Sequence, residues 1–313
     1  MLEKLTEQIK DAQKIAIFNH INPDGDALGS AFGLKLILEK MGKQAEVFLR
    51  EGDDTLKEYE VLYKGETTGI KVSDCDLKIA VDCADLDRLG DLKELFVGNT
   101  AAIDHHITHK AFADTVLVCP DAPATGEIIY DVAQTLGVKL TREIAYNLYV
   151  AIMCDTGSFK FSSTTAKTHI VAAELIKTGI DFAGLSKRLF DTKSVEYLNM
   201  YKKGIESLEL YLDGKVAMLY FSEKDFENAG IRESDADGIV NLPNSIEGTE
   251  VGVYIRQRGE AFKVSLRSNK TANVAEVATA FGGGGHERAS GFLIKKPLET
   301  VKNEIIEELK KVL

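Results

Sequence analysis

Asn19-His20-Ile21-Asn22-Pro23-Asp24-Gly25-Asp26-Ala27-Leu28-Gly29-Ser30 is the stretch on which the reading of the chain turns. The apolar run Ile15 to Phe18 before it reads as a buried strand, and the periodic segment Ala31 to Lys40 after it reads as a helix. A histidine and two aspartates are thereby packed into a strand-to-helix turn. In an open α/β sheet such turns lie at the carboxyl edge of the strands, where ligands bind. Three hard or borderline metal ligands within seven residues point to a divalent cation.

Further strands are expected at Lys14 to Phe18, Gln44 to Leu49, Leu77 to Val81, Thr100 to Ile103 and Thr115 to Val118, with mostly helical segments between them. That alternation is the βαβ signature of a parallel sheet with helices on both faces. Gly42 and Gly137 stand where helices should stop. From Ala124 to Phe190 the pattern turns mainly helical, and Ser194 to Leu210 reads as one exposed connecting helix. Beyond it, Lys215 to Phe221, Val251 to Arg256 and Phe262 to Leu266 read as strands, and Leu298 to Leu313 as an amphipathic helix. The expectation is an α/β protein with a parallel-sheet N-terminal domain and flanking helices over 1–192, a connector helix over 193–211, and a smaller α+β C-terminal domain over 212–313.

The 313 residues allow two domains, and 44% hydrophobic with 28% charged residues is ordinary for a globular chain. No apolar run approaches the roughly 18 to 20 residues that a membrane span needs. Met1 to Asp11 looks like an amphipathic helix rather than a signal peptide, so no membrane partner and a cytoplasmic location are expected. A net charge of −11 disfavours a grip on long duplex nucleic acid, which draws its affinity from neutralised phosphates. Cys75, Cys83, Cys119 and Cys154 lack C-x-x-C spacing and read as small buried residues.

Three expected strands end in the same chemistry. The first runs into His20, Asp24 and Asp26, the third into Asp82, and the fourth into Asp104-His105-His106. A further apolar stretch, Tyr149 to Cys154, delivers Asp155. If the sheet is parallel, these ends converge on one edge. So many carboxylates in one place call for cations, and two metals bridged by a carboxylate are the simplest resolution. Oxygen-rich ligation with imidazole suits Mn²⁺, with Mg²⁺, Co²⁺ or Fe²⁺ as alternatives. Such a pair would activate water for an in-line phosphoryl displacement, which predicts a phosphoester or phosphoanhydride hydrolase.

Each part also has a plainer reading. An aspartate at a strand end is often a helix cap, Pro23 to Asp26 alone could be a turn, and a lone buried histidine is usually a core residue. Six such residues all falling at element ends make a purely structural account the poorer one.

The run His20-x-x-Pro23-Asp24-x-Asp26-x-x-Gly29-Ser30, then Val81 to Asp85, Asp104-His105-His106 and Asp155-Thr156-Gly157-Ser158-Phe159, resembles in order the four motifs of the DHH phosphoesterase family. Ser265 to Ser268 and Phe281-Gly282-Gly283-Gly284-Gly285-His286 are similar to the substrate domain associated with that family. The resemblance implies that His20, Asp24, Asp82 and Asp155 hold one manganese-type ion and that Asp26, Asp82, His105 and Asp155 hold the other, with Asp82 as the bridge. It leaves open which ion Asp155 contacts. Asp104 would orient an imidazole, and His106 would contact the scissile phosphate as a catalytic group. Gly25 and Gly29 read as places where backbone passes close to metals and substrate. His109 and His169 fit no motif and read as surface or core residues.

The glycine run Gly282 to Gly285 lacks the spacing of a P-loop or a dinucleotide fold and could be only a flexible loop. Successive glycines can also shape an anion-binding concavity. Around it, Val251 to Gly291 holds Arg256, Arg258, Lys263, Arg267, Lys270 and Arg288 against Glu260, Glu276 and Glu287. Together with the resemblance, this local positive balance assigns substrate binding to Arg267, Ser268, Gly284, Gly285 and His286, with Arg256 and Arg288 as weaker candidates.

Within the family, RecJ-type exonucleases are longer, membrane-bound cyclic-dinucleotide phosphodiesterases need spans, and family II inorganic pyrophosphatases lack the glycine-rich motif. The resemblance runs instead to the oligoribonuclease (nanoRNase) and adenosine 3′,5′-bisphosphate (pAp) phosphatase type, whose partners are short single-stranded RNA and pAp-type nucleotides. It also implies a homodimer. The alternatives are a linear dinucleotide or cyclic-di-AMP phosphodiesterase using the same residues, and a non-catalytic nucleotide sensor.

Overall fold

The computed structural model describes residues 1–50, 52, 59–232 and 234–313. The chain divides into two compact units, Met1–Thr192 and Lys193–Leu313.

In the first unit the strands are β1 (Lys14–Phe18), β2 (Gln44–Phe48), β3 (Leu77–Val81), β4 (Thr100–Asp104) and β5 (Thr115–Val118). All pair in parallel, in the order β2-β1-β3-β4-β5. The chain leaves β1 toward β2 on one side and later returns to β3 on the other, so the topological switch falls between β1 and β3. That is the crevice where ligands bind in open α/β sheets, and it lies beneath His20 and Asp82.

Helices α1 (Leu2–Asp11), α2 (Gly25–Lys40), α3 (Thr125–Thr135), α4 (Arg142–Asp155) and α5 (Ala166–Ile176) cover one face of this sheet. Short α6 (Phe182–Ser186) follows them. The expectation of helices on both faces is corrected here. Ala16, Phe18, Ala80 and Ala102 on the other face pack beneath a 3₁₀ segment, Leu86–Leu95, and the loops that carry Val72, Cys75 and Phe112. Gly90, at φ 63°, breaks that segment before an α-helix can form. The β4–β5 link, over 105–114, is likewise turn rather than helix. Part of the β2–β3 link, 51 and 53–58, lies outside the described residues; over 59–76 it contains a single 3₁₀ turn, Val72–Asp74.

The second unit begins with α7 (Val195–Glu206), β6 (Glu209–Tyr211), β7 (Val216–Phe221), α8 (Glu223–Ala229), β8 (Val251–Arg258) and β9 (Ala261–Ser268). It continues through α9 (Val274–Ala280), β10 (Gly284–His286), β11 (Ala289–Ile294) and α10 (Leu298–Leu309). Its sheet runs β10-β11-β9-β8-β7-β6 and is antiparallel except for the parallel β7–β8 pair. Val253, Ile255, Val264 and Leu266 pack against α9 and α10 on one face. Met200 of α7 packs with Leu219, Phe221 and Phe226 on the other.

The glycine run is not only a loop. Gly284–His286 pairs with β11 as an edge strand, and a Cβ on Gly285, at φ 144°, would stand 2.5 Å from the Ala289 carbonyl oxygen. Glycine is needed there for two backbones to approach.

Candidate metal centre

His20 leaves the end of β1, and its Nδ1–H donates to the Ile21 carbonyl at 2.9 Å. Its Nε2 is thereby left without a proton and faces Asp82 Oδ2 at 3.7 Å and Asp24 Oδ2 at 4.0 Å. Asp24 caps α2, its Oδ1 accepting from the backbone N–H groups of Asp26 and Ala27 at 3.0 Å each. The other oxygen points to His20.

Asp26 lies one residue inside α2 and is wholly buried. It accepts from Ser30 Oγ at 2.9 Å, from Thr125 N at 2.6 Å and from Gly126 N at 2.9 Å. The last two are orphan N–H groups at the start of α3, so a carboxylate from α2 caps another helix and is pinned by it. Thr125 also donates from Oγ1 to Asp82 Oδ1 at 2.9 Å. Asp82 follows β3 with a left-handed φ of 56°, a conformation that costs energy in an aspartate and turns its side chain into the crevice.

His105 closes the cluster. Its Nδ1 is held by the Ala122 carbonyl at 3.3 Å. Its Nε2 lies 3.1 Å from Asp155 Oδ2, 3.6 Å from Asp82 Oδ1 and 3.9 Å from Asp26 Oδ2. Asp155 arrives as the last residue of α4, in the region expected to be mainly helical, so the apolar stretch that delivers it is a helix end and joins the three strand ends at this edge. Gly29 permits that arrival, because a Cβ there would stand 2.6 Å from the Asn147 carbonyl oxygen and 3.0 Å from the Ala151 Cβ of α4. Gly25 is likewise packed against Cys154 of α4 and Tyr59. Both glycines allow close packing of α2 against its neighbours.

Ligand atoms of His20, Asp24 and Asp82 lie within 4.8 Å of one another, as do those of Asp26, His105 and Asp155, and those of Asp82, His105 and His106. Burial first, then the Asp24 charge, pushes the Asp82 carboxyl up to about 7. Burial, then Asp82 and Asp155, raises Asp26 well above its ordinary range. Burial opposes a charge on His105, yet its bond to Asp155 and the surrounding carboxylates carry it up to about 10. The cluster thus draws protons onto groups that ordinarily shed them, the mark of unbalanced negative charge. Imidazole lone pairs and carboxylate oxygens that face each other need a cation between them, and the oxygen and nitrogen donor set fits hard or borderline divalent ions. Thiolates take no part: burial pushes Cys83 up to about 12 and raises Cys154, so both stay protonated.

His106 lies beside the cluster. Its Nδ1 bonds Asp104 Oδ1 at 2.7 Å and is 3.7 Å from Asp82 Oδ1. Burial works against ionising Asp104, but the bonds from His106 and from His109 overcome it and hold the carboxyl low. Sequence reading set His109 aside, whereas its Nδ1 sits 2.7 Å from Asp104 Oδ2. His169 stacks on Phe159, as a packing residue does. Thr125, Gly126 and Ser30 were also missed. The start of a helix at 125 was the available signal for the first two, and nothing local marked His109.

In the second unit, Arg267, His286 and Gly284 share one face of the sheet by register, through Ala289↔Arg267, His286↔Ala289 and Gly284↔Gly291. Gly285 alternates to the other face, and Ser268 follows Arg267 at the end of β9, bonded by Arg288 Nη1 at 3.2 Å. Glu250 Oε1 gathers the N–H groups of Lys270, Thr271 and Ala272 at 2.7–3.1 Å and fixes the loop beyond Ser268. Arg256 is not brought to this group. It pairs with Lys263, four positions along β8 from the partner of Arg267, and lies over the Phe226 ring at 4.6 Å.

Among the described residues no helix is long and apolar enough to cross a membrane. The family model described as "DHH family, N-terminal domain" matches residues 14–152, and "DHHA1 domain" matches residues 213–313. A protein of Thermus thermophilus named bifunctional oligoribonuclease and PAP phosphatase NrnA is 33% identical over 310 residues, covering 93% of this chain and 90% of the relative. One of the same name from Bacillus subtilis is 29% identical, covering 94% and 93%. The crystal structure of an exopolyphosphatase-related protein from Bacteroides fragilis shares the fold at a TM-score of 0.83 and 24% identity, covering 99% of this chain and 95% of that one. With 33% identity across nearly all of both chains, and the two domain models in sequence, this chain belongs to the DHH family of phosphoesterases and carries its DHHA1 domain.

Proposed function

We propose that the chain is a cytoplasmic, manganese-dependent phosphoesterase. It cleaves RNAs of about two to five nucleotides to mononucleotides, a length limit set by having to seat one end while the neighbouring ester reacts. It also removes the 3′-phosphate of adenosine 3′,5′-bisphosphate to leave AMP. The observation that carries the reading is the convergence of Asp24, Asp26, Asp155, His20 and His105 around one shared carboxylate, Asp82. The names of the Thermus and Bacillus relatives support the choice of substrates.

His20, Asp24 and Asp82 would hold one divalent cation, and Asp26, Asp82, His105 and Asp155 the other. When bound, such a pair supplies a nucleophile at neutral pH and offsets the charge of the phosphate. Thr125 fixes one oxygen of Asp82, and the start of α3 keeps Asp26 from rotating. His106, oriented by Asp104, contacts a phosphate oxygen and stabilises the charge that develops on it. We assign hydrolysis to residues 1–192 and substrate binding to residues 212–313, with Arg267, Ser268, Gly284, Gly285, His286 and Arg288 contacting substrate. Residues 193–211 are not the single exposed connecting helix expected: α7 buries Met200 in the second unit's core and Glu209–Tyr211 pairs with β7, so this stretch belongs to that unit.

The test is release of phosphate from adenosine 3′,5′-bisphosphate and of AMP from a diadenylate, each with and without Mn²⁺. Both products, dependent on the ion, are expected, with 2- to 5-mers cleaved faster than a 24-mer. Release of neither product rejects the reading, and equal or faster cleavage of the 24-mer rejects its length preference.

A further inference from the structure

Asp104 closes β4 with no exposed surface, and its two oxygens are unequally served. Oδ1 accepts from the backbone N–H groups of His105 at 2.9 Å and His106 at 3.3 Å, and from His106 Nδ1 at 2.7 Å. Among the described residues, Oδ2 accepts from His109 Nδ1 alone, at 2.7 Å. One side chain outside the sequence motifs therefore satisfies half of a buried carboxylate.

The His109 ring is held by packing. It lies against Phe112 with centroids 5.3 Å apart, and Phe112 in turn packs on Phe96. The turn that carries it is closed by His109 N to the His106 carbonyl at 3.1 Å and by Lys110 N to the Ala84 carbonyl at 2.8 Å. The far nitrogen, Nε2, is buried without a partner among the described residues. A phenylalanine or leucine would fill this apolar site without burying an unpaired nitrogen, so packing does not account for a histidine here. The bond to Asp104 does.

We propose that His109 is a positioning residue for hydrolysis, gripping Oδ2 of Asp104 so that Oδ1 stays aimed at Nδ1 of His106 and the His106 ring stays aimed at the reacting phosphate. The proposal rests on the phosphoesterase reading above. Without His109 the buried carboxylate loses the one donor that Oδ2 has among the described residues, turns toward the donors at Oδ1, and ceases to fix the imidazole. Partners of this kind set the orientation of active-site imidazoles, and their loss costs activity more than binding.

The experiment measures diadenylate hydrolysis at saturating Mn²⁺ for the wild type, H109F, H109N, D104N and the H109F/D104N pair. H109F is expected to lower kcat about 10- to 100-fold with KM nearly unchanged. H109N, which offers Oδ2 an amide N–H, is expected to recover most of that loss. In the D104N background H109F adds nothing, since its effect passes through Asp104. Manganese titrations of H109F and wild type superimpose. Wild-type kcat in H109F, no recovery in H109N, or a full further loss in the double variant overturns the proposal. H109A repeats the test if H109F does not fold. If the wild type itself hydrolyses nothing, the phosphoesterase reading fails and the imidazole N–H proton resonances decide this one. The downfield His106 Nδ1–H signal shifts in H109F and returns in H109N under the proposal, and an unmoved signal overturns it.

Discussion

His105 Nε2 stands 3.1 Å from Asp155 Oδ2, so the residue that follows a strand meets the residue that ends a helix. A cation held by both would tie the sheet edge to α4. Asp155→Asn is therefore expected to lower the manganese stoichiometry from two ions toward one and to cut diadenylate turnover by at least about 100-fold. Isothermal titration of the variant checks the first and a product assay the second. Two ions bound with unchanged affinity would remove Asp155 from the site.

Protons compete for the same groups. Asp82, pushed up to about 7, holds its proton below that pH and yields it above, and His105, pushed up to about 10, must give up a proton throughout the neutral range. Manganese affinity is expected to rise with pH through about 7 and to continue rising toward about 10. The same shift bears on stability. A carboxyl raised in the folded state stabilises the fold fully below its ordinary value of 3.8, and that contribution is lost as pH rises through about 7. With chelator present Asp82 thus favours the fold less at pH 8 than at pH 6, so the gain in Tm on adding Mn²⁺ is expected to be larger at pH 8. Paired melts at the two pH values check it, and a gain that shrinks with pH would contradict it.

The sheet was legible because its strands are short apolar runs ending in acidic residues: three of the five N-terminal strands have the bounds expected of them. His20, Asp24, Asp26, Asp82 and His105 were readable because each follows a strand or opens a helix. Asp155 was readable as a ligand candidate at the end of an apolar stretch in a mainly helical region, although an apolar run buried on all sides does not declare where its helix stops. Thr125, Gly126 and His109 act across distant sequence positions or through a partner's second oxygen, and no local pattern encodes such a bond. β10 was hidden because glycines chosen for close backbone approach look like glycines chosen for flexibility.

Gly29→Ala tests the link between packing and site. The new Cβ would crowd the Asn147 carbonyl oxygen at 2.6 Å and the Ala151 nitrogen at 2.9 Å, both backbone atoms of α4 that cannot swing aside. A loss of about 1–3 kcal/mol in urea unfolding is expected, together with weaker manganese binding as Asp155 moves. Wild-type stability would show that α2 and α4 separate freely.

Arg267→Ala combined with His286→Ala is expected to weaken nucleotide binding by about 100-fold or more, charge-assisted bonds being worth roughly 1.5–3 kcal/mol each. Arg256→Ala is expected instead to leave affinity unchanged and to lower stability by about 1 kcal/mol through its lost stacking on Phe226. Binding of a non-hydrolysed analogue separates the two. Unchanged affinity in the double variant would remove the substrate role from β9 and β10.

Asp82 faces both imidazoles, with Oδ2 toward His20 and Oδ1 toward His105. The most direct measurement is manganese-dependent diadenylate turnover by Asp82→Ala, with circular dichroism confirming the fold. Turnover below about one percent of wild type in a folded protein is the predicted result, as the shared carboxylate would hold both ions. Retention of more than a few percent would contradict a centre built around Asp82.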